Sequence, residues 1–225
     1  MRPVYGYMPR ECNYKGRGNL MSAKTLRKEP LNLIIAGVGG QGNVLLSAFI
    51  GTALLNEGFV VSVADTFGVS QRGGSVASHI KISKKALYSS VTLEGKADVI
   101  LGMEPVETLR ALAEFGNPQV VVIVNPRPVY PSGGMPYPDL DELKELIIKF
   151  SSQTTFVRAT EEALKMGDPL YANIILLGSL VGADLLPISR ETMIPILEER
   201  FPGSLFDSNI KAFNRGIELG LKAFS

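Results

Sequence analysis

The sequence predicts an α/β fold: a three-layer α/β/α domain around a largely parallel sheet. Three observations carry this. Short apolar runs rich in β-branched residues recur along the chain, stretches with helical spacing alternate with them, and the first junction between the two is a glycine-rich turn. The 225 residues are 45% hydrophobic and 20% charged. At this length roughly 70% of the unfolded chain's surface can be buried, so the core closes without disulfides.

Residues 31–37 (LNLIIAG) have the composition of a buried parallel strand. Residues 43–57 follow with apolar positions at helical spacing and stop at Gly58, a glycine suited to the position after a helix. Residues 59–64 form the next strand, closed by Asp65 and Thr66. Residues 76–83 alternate in period two, as a strand with one exposed or partly covered face does, and Lys84-Lys85 marks a turn. The stretch 56–83 is therefore open to an antiparallel or edge element in an otherwise Rossmann-like sheet. Residues 98–103 are a further strand, with Pro105 at the first turn of a helix over 106–115. Residues 120–124 read as a central strand. Five prolines and two glycines in 125–138 exclude regular structure there. Asp139 opens a helix through 150, residues 154–157 are a short strand, and Thr160 caps a short helix. The chain is then helical over 171–184, 189–200 and 208–224.

Composition excludes several functions. A lone Cys12 supplies neither a disulfide nor the roughly four thiolates that hold an iron–sulfur cluster, and no metal site is expected. No apolar run approaches the ~20 residues of a membrane span, so we expect no membrane contact and a cytoplasmic location. Residues 1–30 hold seven Lys or Arg against Glu11 and Glu29, whereas the rest of the chain holds 16 basic and 20 acidic residues. A basic arm for nucleic acid or an acidic partner has this charge, but the segment lacks helical periodicity and a secretory core. With Met8 and Met21 as alternative starts, 1–30 reads as a flexible basic leader or a misassigned start, and 31–225 as a single domain. Nucleic acid is not the expected partner of the mildly acidic body.

The sharpest motif is Gly37-Val38-Gly39-Gly40-Gln41-Gly42, which fits G-x-G-x-x-G between a strand and a helix. Its glycines permit a tight turn and close backbone approach, and the N–H groups at the helix start suit a phosphate. Asp65, at the end of the second strand, stands where a Rossmann fold places its ribose-binding acid. A dinucleotide, another anion, or tight βα packing alone all fit this pattern. Residues 66–75 (TFGVSQRGGS) then place a second glycine-rich stretch at the same sheet edge. Ser70, Gln71, Gly73, Gly74 and Ser75 surround Arg72, whose forked donors suit a carboxylate or phosphate.

GVGGQG, SQRGGS, DVILGMEPVETLRAL and YANIILLGSLVGA, in that order, resemble the gamma-type subunit of 2-oxoacid:ferredoxin oxidoreductases. The SQRGGS variant resembles the indolepyruvate branch, and the likeness runs from Leu31 to the C-terminus. The resemblance implies an oxidoreductase complex that decarboxylates a 2-oxoacid, here an arylpyruvate, on thiamine diphosphate. It implies electron transfer through iron–sulfur clusters to ferredoxin and formation of an acyl-CoA. The chain has no Gly-Asp-Gly motif of thiamine sites: Gly167-Asp168 continues into Pro169. A larger partner subunit is therefore expected to carry the clusters and thiamine diphosphate, and this chain to bind no cofactor alone and to hold no confident catalytic residue. Its turn 37–42 and loop 70–75 would face the partner's cofactor cleft. A free-standing NAD(P)-binding enzyme is the alternative.

Other polar residues have two readings each. Glu104 ends a strand where open α/β sheets bind ligands, or serves the helix dipole as an N-terminal acid. Asn125 ends a central strand as a ligand group or a turn-forming amide. Asn173, on an apolar helix, must find partners if buried and is suited to ordering the loops above it. His79, the only histidine, is a general base or a structural residue. The segment 171–186 and the helix face near Phe213 and Phe224 are candidates for an interface, with burial in the domain's own core the equal alternative.

Overall fold

The computed structural model describes residues 25–67, 74–130 and 136–224. Ser70, Gln71, Arg72 and Gly73 lie outside the described residues, as do Cys12 and the leader through residue 24. The elements run β1 (Leu31–Val38), α1 (Asn43–Asn56), β2 (Val60–Phe67), β3 (Ser75–Ser83), β4 (Val99–Gly102), α2 (Pro105–Phe115) and β5 (Val121–Val124). They continue with α3 (Leu140–Lys149), β6 (Gln153–Phe156), α4 (Ala159–Lys165), α5 (Tyr171–Gly182), α6 (Arg190–Arg200) and α7 (Ser204–Phe224). The six strands form one mixed sheet in the order β2-β3-β1-β4-β5-β6. β3 is antiparallel to β1 and β2, and β1, β4, β5 and β6 are parallel.

Strand alternation splits the core into the two expected layers. Leu33, Ile35 and Leu101 face α1, α5, α6 and α7, while Ile34, Ala36, Ile100 and Val122 face α2 and α3. α1 buries Leu46, Phe49, Ile50, Ala53 and Leu54, a stripe with helical spacing. Gly58 follows it at φ +87°, the left-handed conformation that ends the helix. Asp139 caps α3, its Oδ1 accepting from the N–H groups of Asp141 and Glu142 at 2.9 and 3.0 Å.

Three local expectations differ from the fold. β3 alternates only at its start, where Ser75 and Ala77 are half-buried; from Ser78 onward it is covered on both faces rather than one and its polar residues are buried, with Ser78 donating to Asp65 and Ser83 to Glu29. Asp65 and Thr66 do not close β2 but lie inside it, because β2 extends to Phe67 to pair with Val76. Thr160 does not cap α4, whose N-cap is Arg158; its hydroxyl accepts from Asn125 Nδ2 at 2.9 Å.

α5 and α7 pack so closely that their backbones touch. Each carries glycines four residues apart, Gly178 and Gly182 on α5 and Gly216 and Gly220 on α7. A β-carbon at Gly178 would run into the Phe213 carbonyl, and one at Gly216 into the Ile175 carbonyl. Ile174 to Gly182 are all buried, and Phe213 is fully enclosed. The apolar segment considered as an interface is therefore spent on the domain's own core. In an isolated helix Gly216→Ala would gain about 1 kcal/mol of propensity. Here we expect a net loss of about 1–3 kcal/mol from overpacking, measured by denaturant unfolding of the variant against the parent.

Candidate functional site

Helix α1 leaves β1 toward one face of the sheet and α2 leaves β4 toward the other. Such a reversal opens a crevice at the C-terminal ends of β1 and β4. Gln41 fills it: its Oε1 accepts from Val38 N–H at 2.7 Å and its Nε2 donates to the Met103 carbonyl at 3.3 Å. Gly37 makes room for this bridge, since a β-carbon there would lie 2.8 Å from Gln41 Oε1, Asn43 Oδ1 and Met103 Cβ. The turn also binds the neighbouring loop, with Gly39 N–H donating to the Gly74 carbonyl at 2.8 Å. Three of the turn's amides, those of Val38, Gly39 and Gln41, are thus already engaged by protein groups.

Gly40 and Gly42 hold φ of +103° and +91°, which L side chains rarely adopt. Gly42 is also crowded: a β-carbon would come within 2.7 Å of Asn173 Nδ2 from the first turn of α5. Asn173 thereby packs against the turn, and its buried Oδ1 finds no partner among the described residues. Asn43 heads α1 and donates to the Val76 carbonyl at 3.1 Å, tying the helix to β3. A cleft of about 350 Å³ opens over this corner, lined by Gly39, Gly40, Gly42, Asn43, Val44 and Val76 among others. Helix α1 has no side-chain cap, so its first-turn N–H groups face this cleft with the chemistry of an anion site.

On the other side of the crevice stands Glu104. Its carboxylate is 1% exposed and caps α2, accepting from Glu107 N–H and, at 2.8 Å, from the Tyr137 hydroxyl. Burial pushes its pKa above the usual carboxylate range, against the lowering effect of these hydrogen bonds. Burial, and then the bond to Glu104, likewise pushes the Tyr137 hydroxyl upward. Glu104 is thus spent on capping and on anchoring the proline-rich loop. Asn125 is buried as well, donating to the Met103 carbonyl and to Thr160. Tyr137 was not singled out from the sequence and Thr160 only as a helix cap, because neither sits in a motif that announces its partner.

Asp65 is not brought to the glycine turn. β3 lies between β2 and β1, and Asp65 is level with Ile35, two strand spacings away, about 10 Å. Its carboxylate accepts from Ser78. Ser75, in contrast, pairs with Val38 in register, so the start of β3 lies at the crevice edge. His79 is 1% exposed in β3, its Nδ1 accepting from Thr92 N–H at 3.3 Å. Among the described residues no three His, Cys, Asp or Glu side chains converge to hold a metal.

Comparison with known proteins places this geometry. The family model described as pyruvate ferredoxin/flavodoxin oxidoreductase matches residues 32–219. The indolepyruvate oxidoreductase subunit IorB of Archaeoglobus fulgidus is 36% identical over 190 residues, covering 83% of this chain and 93% of that protein. The pyruvate synthase subunit PorC of Methanothermobacter marburgensis is 27% identical over 187 residues, covering 78% and 89%. In fold, the chain is similar to the gamma subunit of a keto/oxoacid ferredoxin oxidoreductase from Geobacter sulfurreducens, with a TM-score of 0.62, 22% identity and coverage of 86% and 99%. It is also similar to a 2-oxoglutarate:ferredoxin oxidoreductase chain from Magnetococcus marinus, solved with coenzyme A bound, at a TM-score of 0.69 and 22% identity. There it covers 87% of this chain but 32% of the longer one.

Two outcomes are expected. With its pKa raised, Glu104 holds its proton more tightly folded than unfolded, so the parent loses stability as pH rises above the ordinary value of 4.5. Glu104→Gln removes the charge: its Oε1 still accepts from Glu107 N–H, and its Nε2 donates to the Tyr137 oxygen, reversing that bond; its thermal midpoint should exceed the parent's at pH 8, and the gap should close at pH 4. Calorimetric titration with NAD(H) should give at most weak binding, because the acid that would hold the ribose sits two strands away. A low-micromolar dissociation constant, about −8 kcal/mol, would contradict this.

Proposed function

The chain belongs to the pyruvate ferredoxin/flavodoxin oxidoreductase family, and from that premise we propose that it is the smaller, cluster-free subunit of an indolepyruvate-type complex. The complex would oxidatively decarboxylate arylpyruvates to acyl-CoA, with ferredoxin as acceptor, in the cytoplasm. One observation carries the subtype. Four indolepyruvate oxidoreductase subunits are 33–36% identical to this chain over 93–95% of their length, whereas the pyruvate and 2-oxoglutarate synthase subunits fall to 24–27%.

The residues present do not fit a cluster: one cysteine in 225 residues falls short of the roughly four thiolates required. No step of electron transfer is therefore assigned to this chain. Thiamine diphosphate, held by the larger subunit, would supply the decarboxylation chemistry. This chain's contribution is a wall. The turn 37–42 and Gly74, which leads into β3, stand side by side at the crevice, joined by the Gly39–Gly74 hydrogen bond, and the loop 70–75 would extend this wall. Their glycines admit a close neighbour, and the open end of α1 suits an anionic group such as a CoA phosphate or a substrate carboxylate. Arg72 would supply a charge-assisted contact to the same group. Met103, Glu104, Asn125 and Asn173 hold this wall rigid from behind.

Co-expression with the larger subunit, followed by turnover of indolepyruvate, phenylpyruvate, pyruvate and 2-oxoglutarate with ferredoxin or a viologen, tests the proposal. Preference for the aryl oxoacids is expected. A complex that ignores them and uses pyruvate would overturn the subtype and leave the family in place. In the assembled complex Arg72→Ala should lower kcat/KM by the equivalent of about 1–3 kcal/mol; parent rates would remove Arg72 from the site.

A further inference from the structure

Helices α2 and α3 cover the β1, β4 and β5 part of one sheet face, while the β2–β3 part is covered by the segment between β3 and β4. A cavity of about 450 Å³ remains there. His79 and Thr92 line it at 1% and 2% exposure, and His79 Nε2 and Thr92 Oγ1 both lack a hydrogen-bond partner among the described residues. Because His79 Nδ1 accepts from Thr92 N–H, the neutral ring carries its proton on Nε2. Burial holds the His79 pKa below its ordinary value, so the ring stays neutral; it meets Phe115 edge to face at 5.0 Å, and its Nε2–H has no hydrogen-bond acceptor among the described residues. Native proteins rarely leave two such groups idle in one place.

The lining adds two further demands. Glu94 and Glu114 line the same cavity, both exposed, and no ion pair engages either carboxylate among the described residues. Beside them in the lining Val91 and Leu93 expose 44% and 67% of their surface, in a segment without helix or strand. A ligand that satisfies all three features needs a hydrogen-bond acceptor at depth, a cation near the two carboxylates and an apolar stem along Val91 and Leu93. An extended peptide with a lysine or arginine offers these together: a backbone carbonyl for His79, the charged head for the glutamates, and the methylene stem for the apolar rim.

We propose that this cavity is a second docking site for the larger subunit, receiving an extended basic segment on the face between β3 and the end of α2. It rests on the heteromeric reading above and adds to it a contact that runs from Ser75 at the crevice edge to His79, Thr92, Glu94 and Glu114. Like-charge reversal at its mouth should weaken assembly, most of all at low ionic strength.

The test uses the full chain and the co-purified complex. Hydrogen exchange should show protection of amides 88–94 and 112–115 in the complex relative to the free chain. Glu94→Lys combined with Glu114→Lys should raise the assembly dissociation constant at least tenfold in low salt, with a smaller effect in high salt and an unchanged melting curve for the free chain. A complex that forms with parent affinity in the double variant, or without protection at 88–94, overturns this docking site and leaves the functional reading standing. A parent pair that never assembles overturns both.

Discussion

A β-carbon at Gly37 would lie 2.8 Å from Gln41 Oε1, Asn43 Oδ1 and Met103 Cβ at once, and the geometry of the C-terminal edge follows from its absence. With the space free, Gln41 folds back to satisfy Val38 N–H and reaches across to the Met103 carbonyl. β1 and β4 are then held at a fixed separation where the sheet's helices diverge. Met103 is also the acceptor for Asn125, which in turn holds Thr160 at the start of α4. One missing side chain therefore propagates through two amides to the ends of three parallel strands. The same packing takes the Val38 amide that a phosphate would otherwise use, leaving the open end of α1 as the place where an anion finds donors.

The second constraint is topological. Inserting β3 antiparallel between β2 and β1 keeps β2 parallel to β1 but moves it one strand outward. In a dinucleotide fold the acid at the end of the second strand sits beside the glycine turn. Here that place is taken by Ser75 and Gly74, and Asp65 turns to Ser78 instead. Gly74 thus becomes the turn's partner, in the place where a dinucleotide fold has its ribose-binding acid.

The glycines of α5 and α7 are a different use of the same residue. Four residues apart on each helix, they let backbones rather than side chains make the contact. This commits the apolar α5 to the interior and fixes Asn173, at its first turn, against Gly42. Packing of the helical layer and placement of the candidate site are therefore one problem. An interface with another subunit must use surfaces that this packing leaves open.

Much of the architecture was legible in the sequence because strand and helix periodicities are local. Gly58, Asp139 and Pro105 each mark a helix end through backbone chemistry that needs no distant partner, and the glycine turn was visible as a turn. Misreadings arose where a residue's role depends on what lies across the fold. The alternation in β3 resembled a half-exposed strand, yet Ser78, His79 and Ser83 are buried with partners from Asp65, Thr92 and Glu29. The GxxxG spacing of α5 and α7 was present in the sequence, but only their juxtaposition gives it meaning. The sequence by itself thus determined the elements, the core periodicity and the resemblance of its motifs to a family. Tertiary structure decided which polar groups are spent and which remain available, because a side chain's hydrogen-bonding capacity is consumed by whichever neighbours the packing brings within 3 Å or so.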